Sequence, residues 1–202
     1  VTRVCNLQPK LLGVIATGVN PSSSTMSMVS VISFFRSFNN HTKAHPFRPK
    51  TFVMGGHPTV LPERTQLETQ ADFVIVGEGY ETISQLFLSL MSGTDTSKIA
   101  GLSFRTKTTY QINSAPALVD VDTLPQINWS KIDPAKYRAH NWHCFGEDID
   151  NRTPYAVLWT SMGCPYPCEF CCINNVFGKR TFRFRSMSNV VKELDDLVIN
   201  HN

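Results

Sequence analysis

Apolar residues between positions 11 and 91 fall in short blocks that alternate between two periods. Residues 11–17, 51–54 and 72–76 are nearly continuous apolar runs of strand length, which is how strands covered on both faces read. Between the first two runs, Met28, Val31, Ile32, Phe35 and Phe38 recur at the three- and four-residue spacing that places side chains on one helix face. Residues 62–69 predict a short helix with Pro62 in its first turn, and residues 81–91 a longer one with Ile83, Leu86, Phe87 and Leu90 inward. Strand and helix in alternation predict a parallel α/β sheet. The turns at 18–24, 55–58 and 77–79 then leave the carboxyl ends of its strands, the edge at which open α/β sheets bind ligands. Residues 39–50 read as a polar, proline-containing loop.

Further along, residues 101–106 and 110–112 flank the turn 107–109 and predict a β-hairpin. Residues 119–130 read as an extended connector whose Leu124, Pro125, Ile127 and Trp129 pack two domains together, with Trp129 as interface core. His140, His143 and Cys144 lie close in sequence, but their irregular spacing favours a linker over the active site rather than a metal cluster. Residues 155–160 predict a strand. Residues 179–185 alternate basic and aromatic side chains, either as a solvated face or as a clamp for an anionic substrate or a cofactor carboxylate. A helix follows with Ser188 as N-cap and Val190, Val191, Leu194, Leu197 and Val198 on one face.

The predicted strand at 155–160 runs into Cys164, Cys168 and Cys171, a C-x3-C-x2-C pattern stiffened by Gly163, Pro165 and Pro167. Three thiolates on one loop can ligate three irons of a cubane and leave the fourth iron open. Tetrahedral zinc would need a fourth donor from Cys172, His143 or Cys144, and zinc sites usually pair two C-x2-C knuckles where only one stands here. Six cysteines in 202 residues, with no secretory signal, are too sparse for a disulfide scaffold and point to a reducing cytoplasm. Cys5, Cys144 and Cys172 then read as buried or incidental thiols.

The cysteine loop resembles the cluster loop of radical S-adenosylmethionine enzymes. The loops 17–22, 55–58 and 77–81 look like the later half of the cobalamin-binding domain that precedes many radical S-adenosylmethionine cores. Glycine pairs there let the backbone approach a corrin with no Cβ in the way. The resemblance implies an α/β fold in which the C-terminal half of a Rossmann-like cobalamin-binding domain (residues 1–95) leads through a hairpin and linker (96–152) into the first β-α unit of a radical S-adenosylmethionine barrel (153–202). It implies a 4Fe-4S cluster on Cys164, Cys168 and Cys171, with S-adenosylmethionine and cobalamin as further cofactors. Cofactor contacts are expected from Thr17, Asn20, Ser22, Gly55, Gly56, His57, Gly77, Glu78, Gly79 and Phe170. Thr17 or Ser22 supplies the small hydroxyl of the first loop, and Phe170 lies against the adenine or beneath the cluster loop. Glu78 either meets a ligand hydroxyl or caps the following helix, and His57 is expected as a loop hydrogen-bonding residue rather than a cobalt ligand. Family members begin this domain with another β-α unit, in some carrying the histidine that ligates cobalt, and the present sequence starts after it.

The implied activity is reductive cleavage of S-adenosylmethionine to a 5'-deoxyadenosyl radical, serving cobalamin-dependent methyl transfer to an unactivated carbon. Radical ring closure or rearrangement, methylthiolation, and a cobalamin-binding module with a zinc loop are the alternatives. Composition changes this picture little. With 42% apolar and 17% charged residues the chain can bury one good core or two modest ones, and a net charge of +3 argues for no nucleic-acid partner. No apolar run approaches the roughly 18 residues of a membrane span. The expected partners are a small-molecule substrate and an electron donor such as flavodoxin or ferredoxin. Val1 in place of Met, and the short tail after the cysteine loop, lead to the expectation of a fragment that is inactive alone.

Overall fold

The computed structural model describes residues 1–16, 21–139, 152–171 and 173–201, without the side chains of 21–24. A short helix, α1 (Thr2–Leu7), precedes β1 (Leu11–Ala16), α2 (Pro21–Thr42), β2 (Lys50–Gly55), α3 (Gly56–Val60), α4 (Pro62–Thr69), β3 (Phe73–Ile75) and α5 (Tyr80–Ser92). The hairpin β4 (Leu102–Arg105) and β5 (Tyr110–Ile112) follows, then α6 (Trp129–Ile132), β6 (Ser161–Cys164), α7 (Ile173–Val176), β7 (Thr181–Phe184) and α8 (Met187–Asn200). The chain divides into two compact units, one of Val1–Val119 with Gly163–Thr181, the other of Asp120–Met162 with Phe182–Asn202.

The first unit is built on a five-stranded sheet in the order β1-β2-β3-β4-β5, parallel from β1 to β3 and antiparallel thereafter. Successive residues of a strand face opposite sides. Val53 accordingly joins Ala16, Met28, Val31, Phe35 and Ala71 beneath α2, whereas Phe52 joins Phe73, Ile75, Leu86, Ile99 and Leu102 beneath α5. Both faces of the central strands are therefore covered, as their continuous apolar runs require. Strands 1 to 3 lie in sequential order, so the two crossovers return on one side, where α2 and α4 touch. Gly13 stands opposite Phe52 in the ladder, and any Cβ at Gly13 would overlap that ring. Asp72 joins the amino ends of β2 and β3, accepting from the Thr51 N–H at 2.9 Å and the Thr51 hydroxyl at 2.7 Å.

The second unit is organised differently. Arg185 and Glu193, both buried, pair at 2.6 Å, and the Trp129 indole N–H donates to Glu193 Oε1 at 3.1 Å. Arg185 also donates to the Trp159 carbonyl at 2.9 Å and to Asn189 Oδ1 at 2.9 Å, with its guanidinium 4.8 Å from the centre of the Trp159 ring. Asp122 accepts from the Ser186 backbone N–H at 2.8 Å, and that bond holds its carboxyl below the usual carboxylate range.

Several boundaries differ from the sequence expectations. The strand expected at 155–160 lies later, at Ser161–Cys164, because β7 is its partner and offers its ladder there; the first bond beyond the strand is Arg185 N–H to the Thr160 carbonyl at 2.9 Å. Helix α2 continues into the expected loop as far as Thr42, carrying the fully buried Phe38, whose carbonyl accepts from the Thr42 hydroxyl. The N-cap of α8 is Ser186, whose side chain accepts from the Asn189 N–H, and not Ser188. The connector at 119–130 is not wholly extended: a 3-10 turn spans Val121–Thr123 and α6 begins at Trp129, which is buried within the second unit. Residues 140–151, including His140, His143 and Cys144, lie outside the described residues.

Candidate cofactor site

The cysteine loop begins inside β6. Gly163 holds φ +91, and a Cβ there would fall on the Thr181 carbonyl of β7, so close backbone approach demands glycine immediately before Cys164. Cys164 is half-buried at the strand end, residues 165–170 are exposed, and the Cys171 N–H donates to the Cys168 carbonyl at 3.2 Å, closing a tight turn. Asn174, in α7, donates to the Tyr166 carbonyl at 2.7 Å and ties the loop to the helix that follows it. Cys164, Cys168 and Cys171 are free thiols, and Cys172 lies outside the described residues. Among the described residues no group of three or more His, Cys, Asp or Glu side chains closes around a single ion. The donor set nevertheless suits a cubane, whose ligand sulfurs sit on separate corner irons and so stand farther apart than those around one ion. Phe170 is 94% exposed and therefore does not pack beneath the loop.

The sheet's carboxyl edge carries the glycine loops. The stretch 55–58 is no open loop: β2 runs through Gly55 at φ +135 and α3 starts at Gly56, with Pro58 tolerated in its first turn. His57 is half-buried and its Nδ1 lies 3.4 Å from the Thr25 hydroxyl. Burial lowers the His57 pKa, with Glu68 opposing and Arg64 reinforcing the shift. Gly79 is the N-cap of α5 at φ +82, and a Cβ on it would meet Met54 Cε at 2.7 Å. No side chain caps α5 at that position; the Glu78 carboxylate instead accepts from the Val119 backbone N–H at 3.1 Å, an interaction that the sequence did not signal. Thr17 and Asn20, and the side chain of Ser22 in the first turn of α2, lie outside the described residues.

The two sets of loops share the first unit, since the segment Gly163–Thr181 clusters with Val1–Val119. Within it, α7 packs against α3, and the Val176 carbonyl lies 3.7 Å from the Cβ position of Gly77. A helix more than ninety residues downstream of the third sheet strand is thus laid on that strand's carboxyl end.

No family model matches the chain. An uncharacterised methyltransferase of Pyrococcus horikoshii is 30% identical over 192 residues, covering 94% of this chain and 37% of that protein. The anaerobic magnesium-protoporphyrin IX monomethyl ester cyclase of Synechocystis sp. is 30% identical over 105 residues, 52% of this chain and 19% of that one. The chain therefore spans well under half the length of these relatives. Among solved structures, the cobalamin-dependent S-adenosylmethionine radical enzyme OxsB matches 98% of this chain and 24% of its own at a TM-score of 0.70 and 17% identity. The radical S-adenosylmethionine methyltransferase TsrM of Kitasatospora setae, with tryptophan and a S-adenosylmethionine analogue bound, matches 98% of this chain and 37% of its own at a TM-score of 0.64 and 19% identity. TsrM has also been solved with cobalamin and a 4Fe-4S cluster bound. At such identities the likeness shows the fold: mixed α/β, with a largely parallel central sheet.

Proposed function

We propose, from a fold shared with cobalamin-dependent radical S-adenosylmethionine enzymes, that this chain is the part of such an enzyme in which the corrin-binding edge and the cluster loop meet, and that the enzyme transfers a methyl group to an unactivated carbon. The observation carrying this reading is the placement of Gly163–Thr181 in one compact unit with the sheet, α7 against α3. Cys164, Cys168 and Cys171 would supply three thiolates and leave one coordination position for S-adenosylmethionine. When bound, the cluster supplies an electron for sulfonium cleavage and the corrin a transferable methyl group. Gly55, Gly56, Gly77 and Gly79 would admit the corrin's edge to the sheet; Thr17, Asn20, Ser22 and His57 would add polar contacts. The exposed ring of Phe170 is available to the adenine. A small-molecule substrate and a flavodoxin or ferredoxin as electron donor complete the reading.

The anaerobic full-length protein, given a reductant, S-adenosylmethionine and hydroxocobalamin, should form 5'-deoxyadenosine and bind about one corrin; absence of both products of this test would overturn the proposal. Likeness to the Synechocystis cyclase over 52% of the chain favours a second reading, radical ring closure. In that case 5'-deoxyadenosine would form without any methylated product.

A further inference from the structure

Glu78 lies between Gly77 and Gly79, half-buried, on the loop from β3 to α5. Its Oε2 accepts from the Val119 N–H at 3.1 Å, a bond strengthened by the carboxylate's charge. Val119 ends the strap of residues 115–119 that leaves the hairpin after β5, and the chain passes into the second unit at Asp120. The other end of the strap is also tied. The Gly101 N–H donates to the Ser114 carbonyl at 2.8 Å, and the Gly101 carbonyl accepts from the Val76 N–H at 2.8 Å. A Cβ at Gly101 would stand 3.0 Å from Pro116 Cδ, so the strap runs close over the end of β3.

The loop beneath the strap is tied in turn to α3, where the buried Thr59 hydroxyl accepts from the Gly77 N–H at 3.1 Å. Strap, loop and α3 therefore form one linked set. The strap lines a cavity of about 200 Å³ with Glu78, Gly79 and Tyr80, and a smaller one of about 60 Å³ with Gly77 and with Val176 of α7. In both it supplies the wall facing the loop.

We propose that Glu78 is a positioning residue, whose carboxylate holds the strap against the β3–α5 loop and so sets the wall that this loop and α7 share. It acts through Val119 and is no ligand of a cofactor. The inference rests on the corrin-edge reading for its effect on binding, but its structural half stands on the bond to Val119 alone.

Hydrogen–deuterium exchange across residues 114–119 and a hydroxocobalamin titration test both halves on the full-length protein, using Glu78→Ala, Glu78→Gln, Val119→Pro and the double variant Glu78→Ala/Val119→Pro. Loss of a charged-group hydrogen bond should speed strap exchange by about tenfold in Glu78→Ala and in Val119→Pro. Corrin affinity should fall equally in those two and no further in the double variant. Glu78→Gln, which keeps an acceptor oxygen, should stay within about threefold of wild type. Unchanged strap exchange in both single variants would overturn the proposal. So would a Glu78→Gln protein as impaired as Glu78→Ala beside a normally binding Val119→Pro, the pattern of direct ligand contact. Faster exchange in a protein whose wild type binds no corrin would uphold the strap's anchor and defeat the corrin-edge reading.

Discussion

The two units of this chain are held by opposite means. In the sheet unit, Phe35 of α2 and Leu86 of α5 cover the two faces, meeting Val53, Ile75 and Leu102 of the strands, all fully buried and all apolar. Among the described residues of the second unit the most buried large side chain is Glu193, paired with Arg185 and bonded to Trp129. An apolar core tolerates exchange of like volumes, because the driving force is area removed from water. A buried ion pair tolerates loss of both charges far better than loss of one, because the survivor is left desolvated and unpaired. The cysteine loop follows neither pattern: its residues 165–170 are exposed, and its order is expected to come from metal.

The largest effect should therefore follow from the thiols. Replacing Cys164, Cys168 or Cys171 by Ala should abolish cluster incorporation, read as iron and sulfide per chain, whereas Cys172→Ala should retain it. Next comes the ion pair. Arg185→Met or Glu193→Met alone should cost about 3–5 kcal/mol of unfolding free energy, and the paired Arg185→Met/Glu193→Met variant should recover most of it. Urea melts followed by tryptophan fluorescence would report this unit directly, since Trp129 and Trp159 belong to it. Equal loss in single and paired variants would erase the contrast between the units. In the sheet, Leu86→Ala should cost about 2–5 kcal/mol and Leu86→Met under about 1.5 kcal/mol, read from the circular dichroism melt.

The smallest effect concerns His57. Burial disfavours its charged form, so its folded pKa lies below the model-compound value of 6.5. Protonation then favours the unfolded chain: the contribution of His57 to stability is present above pH 6.5 and is lost as pH falls through the lowered folded pKa. An NMR titration of its ring protons should give a midpoint below 6.5; one above that value would mean that the attraction of Glu68 outweighs burial.

Sheet strands and helices were legible because burial on both faces leaves an apolar run with no alternation, and because Met28, Val31 and Phe35 mark α2 by period. The three cysteines were legible by spacing alone. Arg185 and Glu193 were not, since Arg185 reads as one of the alternating basic residues of 179–185 and Glu193 as a solvent-facing charge on an amphipathic helix, and only the tertiary meeting of Trp129, Trp159 and α8 buries them. Conversely, Val191, Leu194 and Val198, expected on the apolar face of α8, are exposed. The bond from Glu78 to Val119 joins residues forty-one apart, a separation for which no local pattern exists. The displaced strand at β6 has the same origin: the apolar run marks an extended segment, while the partner β7 decides where pairing starts.

Whether Cys164, Cys168 and Cys171 carry an iron–sulfur cubane is decided by metal analysis of the anaerobically reconstituted chain. A cubane there requires about four irons and four labile sulfides per chain, with a broad visible absorbance that bleaches on reduction. Stoichiometric zinc without labile sulfide would contradict it.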